Sequence, residues 1–207
     1  NMGRKTRITK EMILEAAYEL LDESGIGAVA IKTIAAKLEC STQPISWHFG
    51  SMTDLKKELF NYAAGKLYGT LSDKMKGKEA TEAFFISGVH YITNVYEHPN
   101  VFRFINVDST IDTIGEDIRG ENSIFSHQFD EEAVEILEQQ YDVPKDAIRE
   151  AVRDTVIYTH GLAMLAMLDG AKLSREDACK LMFNMGMKLL ANLGIKQRED
   201  IDYYLNI

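Results

Sequence analysis

The sequence contains few cysteines and no long apolar run. Its two cysteines, Cys40 and Cys179, lie far apart and form no CxxC pair, which argues against a zinc site or a disulfide framework and favours a reducing, cytoplasmic environment. No stretch approaches the roughly 18 consecutive apolar residues of a membrane helix. No apolar segment follows the first charged residues, so we expect neither a secretory signal nor a membrane partner.

The sequence also lacks signals for strands and for known catalytic centres. No segment alternates apolar and polar residues for long, and no Asn-Gly or Asp-Gly turn joins such segments, so we expect an all-α fold. GxSxG, HExxH, Walker and dinucleotide-binding motifs are missing, so we expect no enzyme activity and no cofactor. The histidine pairs 90/98 and 127/160 do not have the spacing of metal ligands, and no metal site is expected.

The charge of the chain is unevenly distributed. Residues 1–58 carry eight basic and eight acidic side chains, whereas the remaining residues carry fifteen basic and twenty-four acidic ones and so hold the whole net charge of −9. This asymmetry is expected if only the N-terminal end approaches phosphate. An acidic body is, however, also common among ordinary cytosolic proteins.

A helix-turn-helix pattern is the most informative feature of the chain. Apolar residues recur at helical spacing between Thr9 and Glu23, and Gly25 can end that helix. Residues 34–49 then fit two short helices joined by a tight turn. Such a pair presents one helix to the DNA major groove. We therefore predict that residues 1–50 are a three-helix DNA-binding domain.

The remaining residues, 51–207, predict a helical effector-binding and dimerisation domain. The helix at 81–97 is apolar on all sides, which is typical of a central, buried helix. The last two long helices are expected to form a four-helix bundle in a homodimer, and the apolar tail 201–205 is expected to dock. The helices are predicted at 52–75, 81–97, 99–106, 124–141, 144–168 and 174–193.

The run from Arg7 to Lys57 resembles the N-terminal domain of TetR-family transcriptional regulators. The resemblance covers about a quarter of the chain and implies a dimeric regulator, expected to be a repressor, that binds a palindromic double-stranded DNA operator and is released by a small-molecule effector. It rests on Ile13-Leu14-Glu15-Ala16-Ala17, Leu20-Leu21, Gly25, Ile34-Ala35, Leu38, Ser41, Ile45, His48-Phe49, Ser51 and Leu55.

The second helix of the motif is expected to read bases. Gln43 can bridge N6 and N7 of adenine, and the Thr42 methyl or Pro44 can touch a thymine methyl. By resemblance, Trp47 and His48 contact the sugar-phosphate backbone. The full set of candidate DNA-binding residues is Arg4, Lys5, Arg7, Lys32, Thr33, Ser41, Thr42, Gln43, Pro44, Ser46, Trp47, His48 and Lys56.

Three positions depart from the family pattern. Ala30 occupies the usual position of a Ser or Thr helix cap, and such a loss typically costs about 1 kcal/mol. Ser46 and Met52 replace a tyrosine and a lysine that the resemblance implies as phosphate contacts. Fewer phosphate contacts predict weaker, less salt-sensitive DNA binding, for which Lys56 and Lys57 can compensate.

The predicted effector site rests on aromatic residues of the body. Ligand pockets are mostly apolar, although each such residue is more simply explained as core. The candidates are Phe84, Tyr91, Phe102, Phe125, Phe129 and Tyr158. Two alternatives stay open: an all-helical ligand-binding protein or enzyme that retains the head, and a regulator controlled by a protein partner, whose body would have no cavity.

Overall fold

The computed structural model describes residues 7–118, 127–168, 170, 172–196 and 199–207, and of residues 127–133 it describes the backbone alone. Every regular element within these ranges is helical, so the predicted all-α class is confirmed. None of the described helices is long and apolar enough to cross a membrane. The helices are α1 (Lys10–Ser24), α2 (Ile31–Lys37), α3 (Gln43–His48), α4 (Met52–Tyr68), α5 (Leu71–Met75), α6 (Ala80–Glu97), α7 (Pro99–Asn106), α8 (Thr110–Ile114), α9 (His127–Gln140), α10 (Lys145–Ala166), α11 (Arg175–Asn192) and α12 (Ile201–Leu205).

The chain packs as two compact units. The head unit comprises the chain up to Leu67 together with Asn100–Ile118, and the body unit comprises Tyr68–Pro99 together with the residues after 118. Packing therefore groups α4, most of α7, and α8 with the helix-turn-helix. The functional division at residue 50 stays a prediction.

The head unit is built on one apolar face of α1. Ile13, Ala17 and Leu21 are completely buried and follow one another at intervals of four residues, so they share a face. Thr9 caps this helix, because its hydroxyl accepts a hydrogen bond of 3.2 Å from the amide of Met12. Further along the chain, the ring of Phe104 meets that of Phe60 edge-on at 5.6 Å between centroids.

The body unit is organised around α6. This helix contacts α5, α9, α10, α11 and α12, as expected for the most apolar helix of the chain. Its approach to α11 is close, because a Cβ atom on Gly186 would lie only 2.6 Å from the ring of Phe85. The glycine is therefore required by packing. The tail also docks, with Tyr204 of α12 only 1% exposed.

The predicted helix at 52–75 is wrong in one respect. The structure has two helices there, α4 and α5, and the chain turns at Gly69 and Thr70 between them. Both residues are exposed, and glycine followed by a β-branched residue has low helix propensity, so no packing offsets the local preference. The predicted start of the next amphipathic helix at residue 124 lies outside the described residues, which show α9 from His127.

Candidate DNA-binding site

The first turn of α2 is held by Thr33. Its hydroxyl accepts a hydrogen bond of 3.1 Å from the amide of Ala30 and lies 2.6 Å from the carbonyl oxygen of Ala28. Thr33 thus satisfies the amide of Ala30, as the third residue of a capping box does, whereas the Ala30 side chain offers no acceptor to the amides of the first turn. The Thr33 side chain, which is predicted to contact phosphate, is exposed. Its hydroxyl, however, is already hydrogen-bonded to the backbone at the start of α2. Lys32 beside it is exposed.

A left-handed residue joins α2 to α3. Glu39 has a φ of +51°, and the amides of Glu39 and Cys40 donate to the carbonyls of Ala36 and Ala35 at 3.1 and 3.0 Å. This hydrogen-bond pattern is a Schellman motif, in which glycine is the usual left-handed residue. The backbone strain of the tight turn is therefore borne by a glutamate.

The helix α3 is anchored by one face and open on the other. Ile45 is 1% exposed and Phe49, which follows the helix, is 4% exposed. Pro44 is half-buried at the start, where its missing amide leaves no unmade helical bond. The predicted contact residues on the other face all lie open: Ser41, Thr42, Gln43 and Ser46 are exposed, and Trp47 is 72% exposed.

His48 is half-buried and already has a partner within the chain. Its Nε2 lies 3.1 Å from the carbonyl oxygen of Ile8, and its ring meets that of Trp47 edge-on at 4.7 Å between centroids. The neighbouring Lys10 lies over the ring of Phe49 at 5.3 Å and pairs with Glu58 at 2.6 Å. Residues 8–10 are thus attached to the end of α3.

The cations of the head unit fall into two classes. Of those the structure describes, Arg7 and Lys32 have no ion pair or hydrogen bond to a protein group. Lys56 donates to the carbonyl oxygen of Thr113 at 2.9 Å, and Lys57 pairs with Glu116, so neither of these two lysines is free to compensate without leaving its partner. Arg4 and Lys5 lie outside the described residues. The remaining paired cations are Lys10, Lys37, Lys66 and Arg103.

A hydrogen-bonded cluster fixes α1 to α4 in the head unit. The hydroxyl of Tyr62 donates to Glu15, and the ammonium of Lys66 lies 3.3 Å from the second carboxylate oxygen. These two bonds lower the pKa of Glu15, and the carboxylate in turn raises the pKa of Lys66. The cluster therefore holds α4 in register with α1.

The structure brings together only some of the predicted effector residues. Phe84 lines a cavity in the body unit; Tyr91, also in that unit, is buried and its hydroxyl lies 2.8 Å from Nδ1 of His160. Tyr158 is half-buried against the core that contains Phe85 and Phe183. Phe102 is completely buried in the head unit. Phe125 and the side chain of Phe129 lie outside the described residues.

The cavity in the body unit is small and apolar. It has about 10 Å³ of free space, roughly what one water molecule needs. Thr155 is the only polar residue among the described residues of the lining, and its hydroxyl donates to the carbonyl oxygen of Ala151 at 2.9 Å. The lining residues are Phe84, Leu137, Ile148, Ala151, Val152, Thr155, Gly186, Leu189, Leu190, Leu193 and Ile195.

Comparison with known proteins identifies the helix-turn-helix. Residues 13–59 match the family model described as bacterial regulatory proteins, tetR family. This segment of the chain is therefore similar to the DNA-binding domain of the TetR family. The segment matched begins in α1 and ends in α4, so it contains all of α2 and α3.

One curated protein and two solved structures are also similar to this chain. The chain is 21% identical over 101 residues to an uncharacterized HTH-type transcriptional regulator of Bacillus subtilis (strain 168), YobS, and the match covers 49% of this chain and 53% of that protein. Two solved regulators from Rhodococcus sp. RHA1 share the fold. One, described as TetR-like, has a TM-score of 0.65 at 16% identity, and the other has 0.65 at 14%. Each comparison covers 92% of this chain, and covers 99% of the first regulator and 100% of the second.

Several residues at the TetR motif and in the body could not be found from sequence. The partners of His48 and Lys56, Ile8 and Thr113, lie 40 and 57 residues away along the chain, and no local pattern indicates such contacts. The cavity lining is mainly aliphatic, whereas the prediction relied on aromatic residues. The one available signal was the shared face of Ile148, Val152 and Thr155 on α10, at intervals of four and three residues.

Proposed function

We propose that this chain is a TetR-family regulator, a homodimeric repressor that binds a palindromic DNA operator through α3 and is released by a small, largely apolar effector. The observation that carries the proposal is the open face of α3, on which Thr42, Gln43 and Ser46 are exposed without a packing role. Two unpaired cations of the same unit, Arg7 and Lys32, can neutralise phosphates. The expected cytoplasmic location stays a prediction.

The chemistry of α3 supports base reading with few phosphate contacts. A side-chain amide such as that of Gln43 can bond adenine at two atoms, and a good bidentate pair contributes about 1–3 kcal/mol of discrimination. Ser46 and Met52 supply no charge, and Lys57 is paired with Glu116. The salt dependence of DNA affinity scales with the number of phosphates that the protein neutralises. We therefore expect the affinity to fall only slowly as the salt concentration rises.

The exposed apolar side chains of α10 and α11 support a dimer. Ile157, Leu165 and Leu168 on α10 and its C-terminal end are 51–61% exposed, and Leu181 on α11 is 42% exposed. Ile157, Gly161 and Leu165 follow one another at intervals of four residues and therefore share one face of α10. A second copy of this chain would bury this surface, and a two-fold dimer would present its two α3 helices to half-sites about 34–36 Å apart.

The apolar lining of the body cavity supports an uncharged effector. Since the cavity has room for about one water molecule, an effector must displace side chains such as Phe84 or Leu189 to enter. It releases DNA only if it prefers a conformation with reduced DNA affinity, and such coupling typically amounts to about 1–3 kcal/mol. The small cavity also suits control by a protein partner, which is the second candidate.

A selection experiment followed by a fluorescence anisotropy titration tests DNA binding. The protein first selects duplexes of about 30 base pairs from a random library, because this length holds two half-sites one helical turn apart. The titration then measures the affinity for the selected duplex. We expect saturable binding that survives competitor DNA and that Gln43→Ala weakens about tenfold or more. Gln139→Ala, an exposed glutamine on α9, serves as the matched control and should bind like the unaltered protein. Failure to enrich any sequence would refute the proposal.

A further inference from the structure

Residues 8–10 are held against the end of α3 by two contacts. The carbonyl oxygen of Ile8 lies 3.1 Å from Nε2 of His48, and the ammonium of Lys10 lies over the ring of Phe49. Thr9, between them, caps α1. Residues 8–10 are therefore fixed on both sides, and Arg7 leaves this fixed point with an exposed side chain and no described ion pair.

We propose that His48 is a positioning residue, which holds the backbone at Ile8 so that the adjacent Arg7 can contact a DNA phosphate. The inference rests on the proposed DNA-binding function. It assigns His48 a different role from the direct backbone contact that the family resemblance implies.

The hydrogen bonding of the imidazole carries this assignment. A carbonyl oxygen only accepts, so Nε2 must bear the proton that it shares with Ile8. In the neutral ring Nδ1 is then an acceptor and cannot donate to a phosphate. Trp47, at 72% exposure, is the neighbour whose side chain is open to the DNA backbone.

The position of Arg7 explains why such a contact affects DNA binding. Ordering a flexible charged segment on DNA costs conformational entropy, and a segment that is already held loses less. Arg7 directly precedes Ile8, so the bond from His48 fixes the residue next to the cation. Without that bond, Arg7 retains its charge but no longer has a defined position.

A double-mutant cycle tests the proposal on the duplex selected by the wild-type protein. We expect His48→Leu and Arg7→Ala each to weaken binding about fivefold and each to lower the salt dependence by about one phosphate contact. Because both changes remove the same contact, the double variant should bind no more weakly than either single variant. His48→Gln, whose amide can donate to the carbonyl of Ile8, should retain most of the affinity.

Lys32→Ala is the matched control for this cycle. Lys32 is also exposed and unpaired but lies at the start of α2, so its effect should multiply with that of His48→Leu. If the effects of His48→Leu and Arg7→Ala also multiply, His48 contacts DNA itself and the proposal is wrong. Should His48→Leu lose its helical circular dichroism, His48→Asn, which is polar but shorter, replaces it.

Trypsin cleavage after Arg7 separates this proposal from the DNA-binding function. In the DNA-free protein, His48→Leu should speed cleavage at that bond, as measured by mass spectrometry, whereas His48→Gln should not. An unchanged rate in His48→Leu would show that His48 does not hold the segment. If the wild-type protein selects no duplex, the proposed function is refuted. The cleavage rate still shows whether His48 holds Ile8 in place.

Discussion

The head and body units place their distinctive side chains in opposite environments. In the head unit Trp47 is 72% exposed on α3, and in the body unit Phe85 and Tyr204 are at most 1% exposed. A surface that reads DNA needs particular polar groups at fixed positions, whereas a core needs only suitable volume and apolarity. The head therefore has a sequence pattern that identifies it, and the body does not.

Two tyrosines make the same contrast at the level of single atoms. The hydroxyl of Tyr62 in the head unit donates to Glu15. The hydroxyl of Tyr204 in the body unit is buried and has no hydrogen-bond partner among the described residues. The body unit thus carries a polar group that lowers its stability.

The largest expected effect distinguishes core from pocket in the body unit. Phe85→Ala removes a completely buried ring that contacts Phe84, Phe183 and Tyr204, and should lower the free energy of unfolding by about 3–5 kcal/mol. Phe84→Ala, beside it but half-buried on the cavity, should cost no more than about 2 kcal/mol. Urea unfolding measures both. Equal losses would show that Phe84 is core and not a pocket residue.

The next effect concerns Tyr204. Tyr204→Phe should raise the free energy of unfolding by about 1 kcal/mol, because it removes a buried hydroxyl without a described partner. Tyr203→Phe is the matched control and should be destabilising, since its hydroxyl lies 2.5 Å from Nζ of Lys78 and 3.1 Å from Glu82. A loss of stability in Tyr204→Phe would show that the hydroxyl has a partner in the native protein.

The same tyrosine predicts a dependence on alkaline pH. Burial, and secondarily the charge of Glu82, raises the pKa of Tyr204. Above about pH 10 the unfolded chain releases the proton of this hydroxyl, whereas the native state keeps it. The contribution of Tyr204 to the free energy of unfolding is therefore full below about pH 10 and is lost as the pH rises further. Between pH 8 and 11, the melting temperature should fall more steeply for the wild type than for Tyr204→Phe. Parallel curves would contradict this origin.

The smallest effect tests the turn of the head unit. Glu39→Gly should raise the free energy of unfolding by about 0.5–1 kcal/mol, because the relief of a left-handed glutamate exceeds the entropy that glycine loses on folding. Glu39→Ala keeps a Cβ atom and should leave stability nearly unchanged, which also isolates the effect of charge. Thermal melting compares the three proteins. Equal gains in stability for both variants would show that the charge of Glu39, and not its φ, destabilises the turn.

Several features of the head were predictable because they depend on neighbouring residues. These features are the start of α1 directly after its cap Thr9, the two short helices of the motif and the open face of α3, and they follow from caps, apolar spacing and a buried Ile45. The roles of His48 and Lys56 were not predictable, because their partners Ile8 and Thr113 approach only when the chain folds. Local pattern carries no information about contacts at such separation.

The sequence by itself determined the helical class, the TetR motif and the docked tail, since each depends on local periodicity and burial of apolar residues. The tertiary structure decided the requirement for glycine at position 186 and the separation of Phe102 from Phe84 into different units. It also decided which cations stay unpaired in the head unit. These outcomes depend on which faces meet, and packing between distant helices fixes that only in the folded chain.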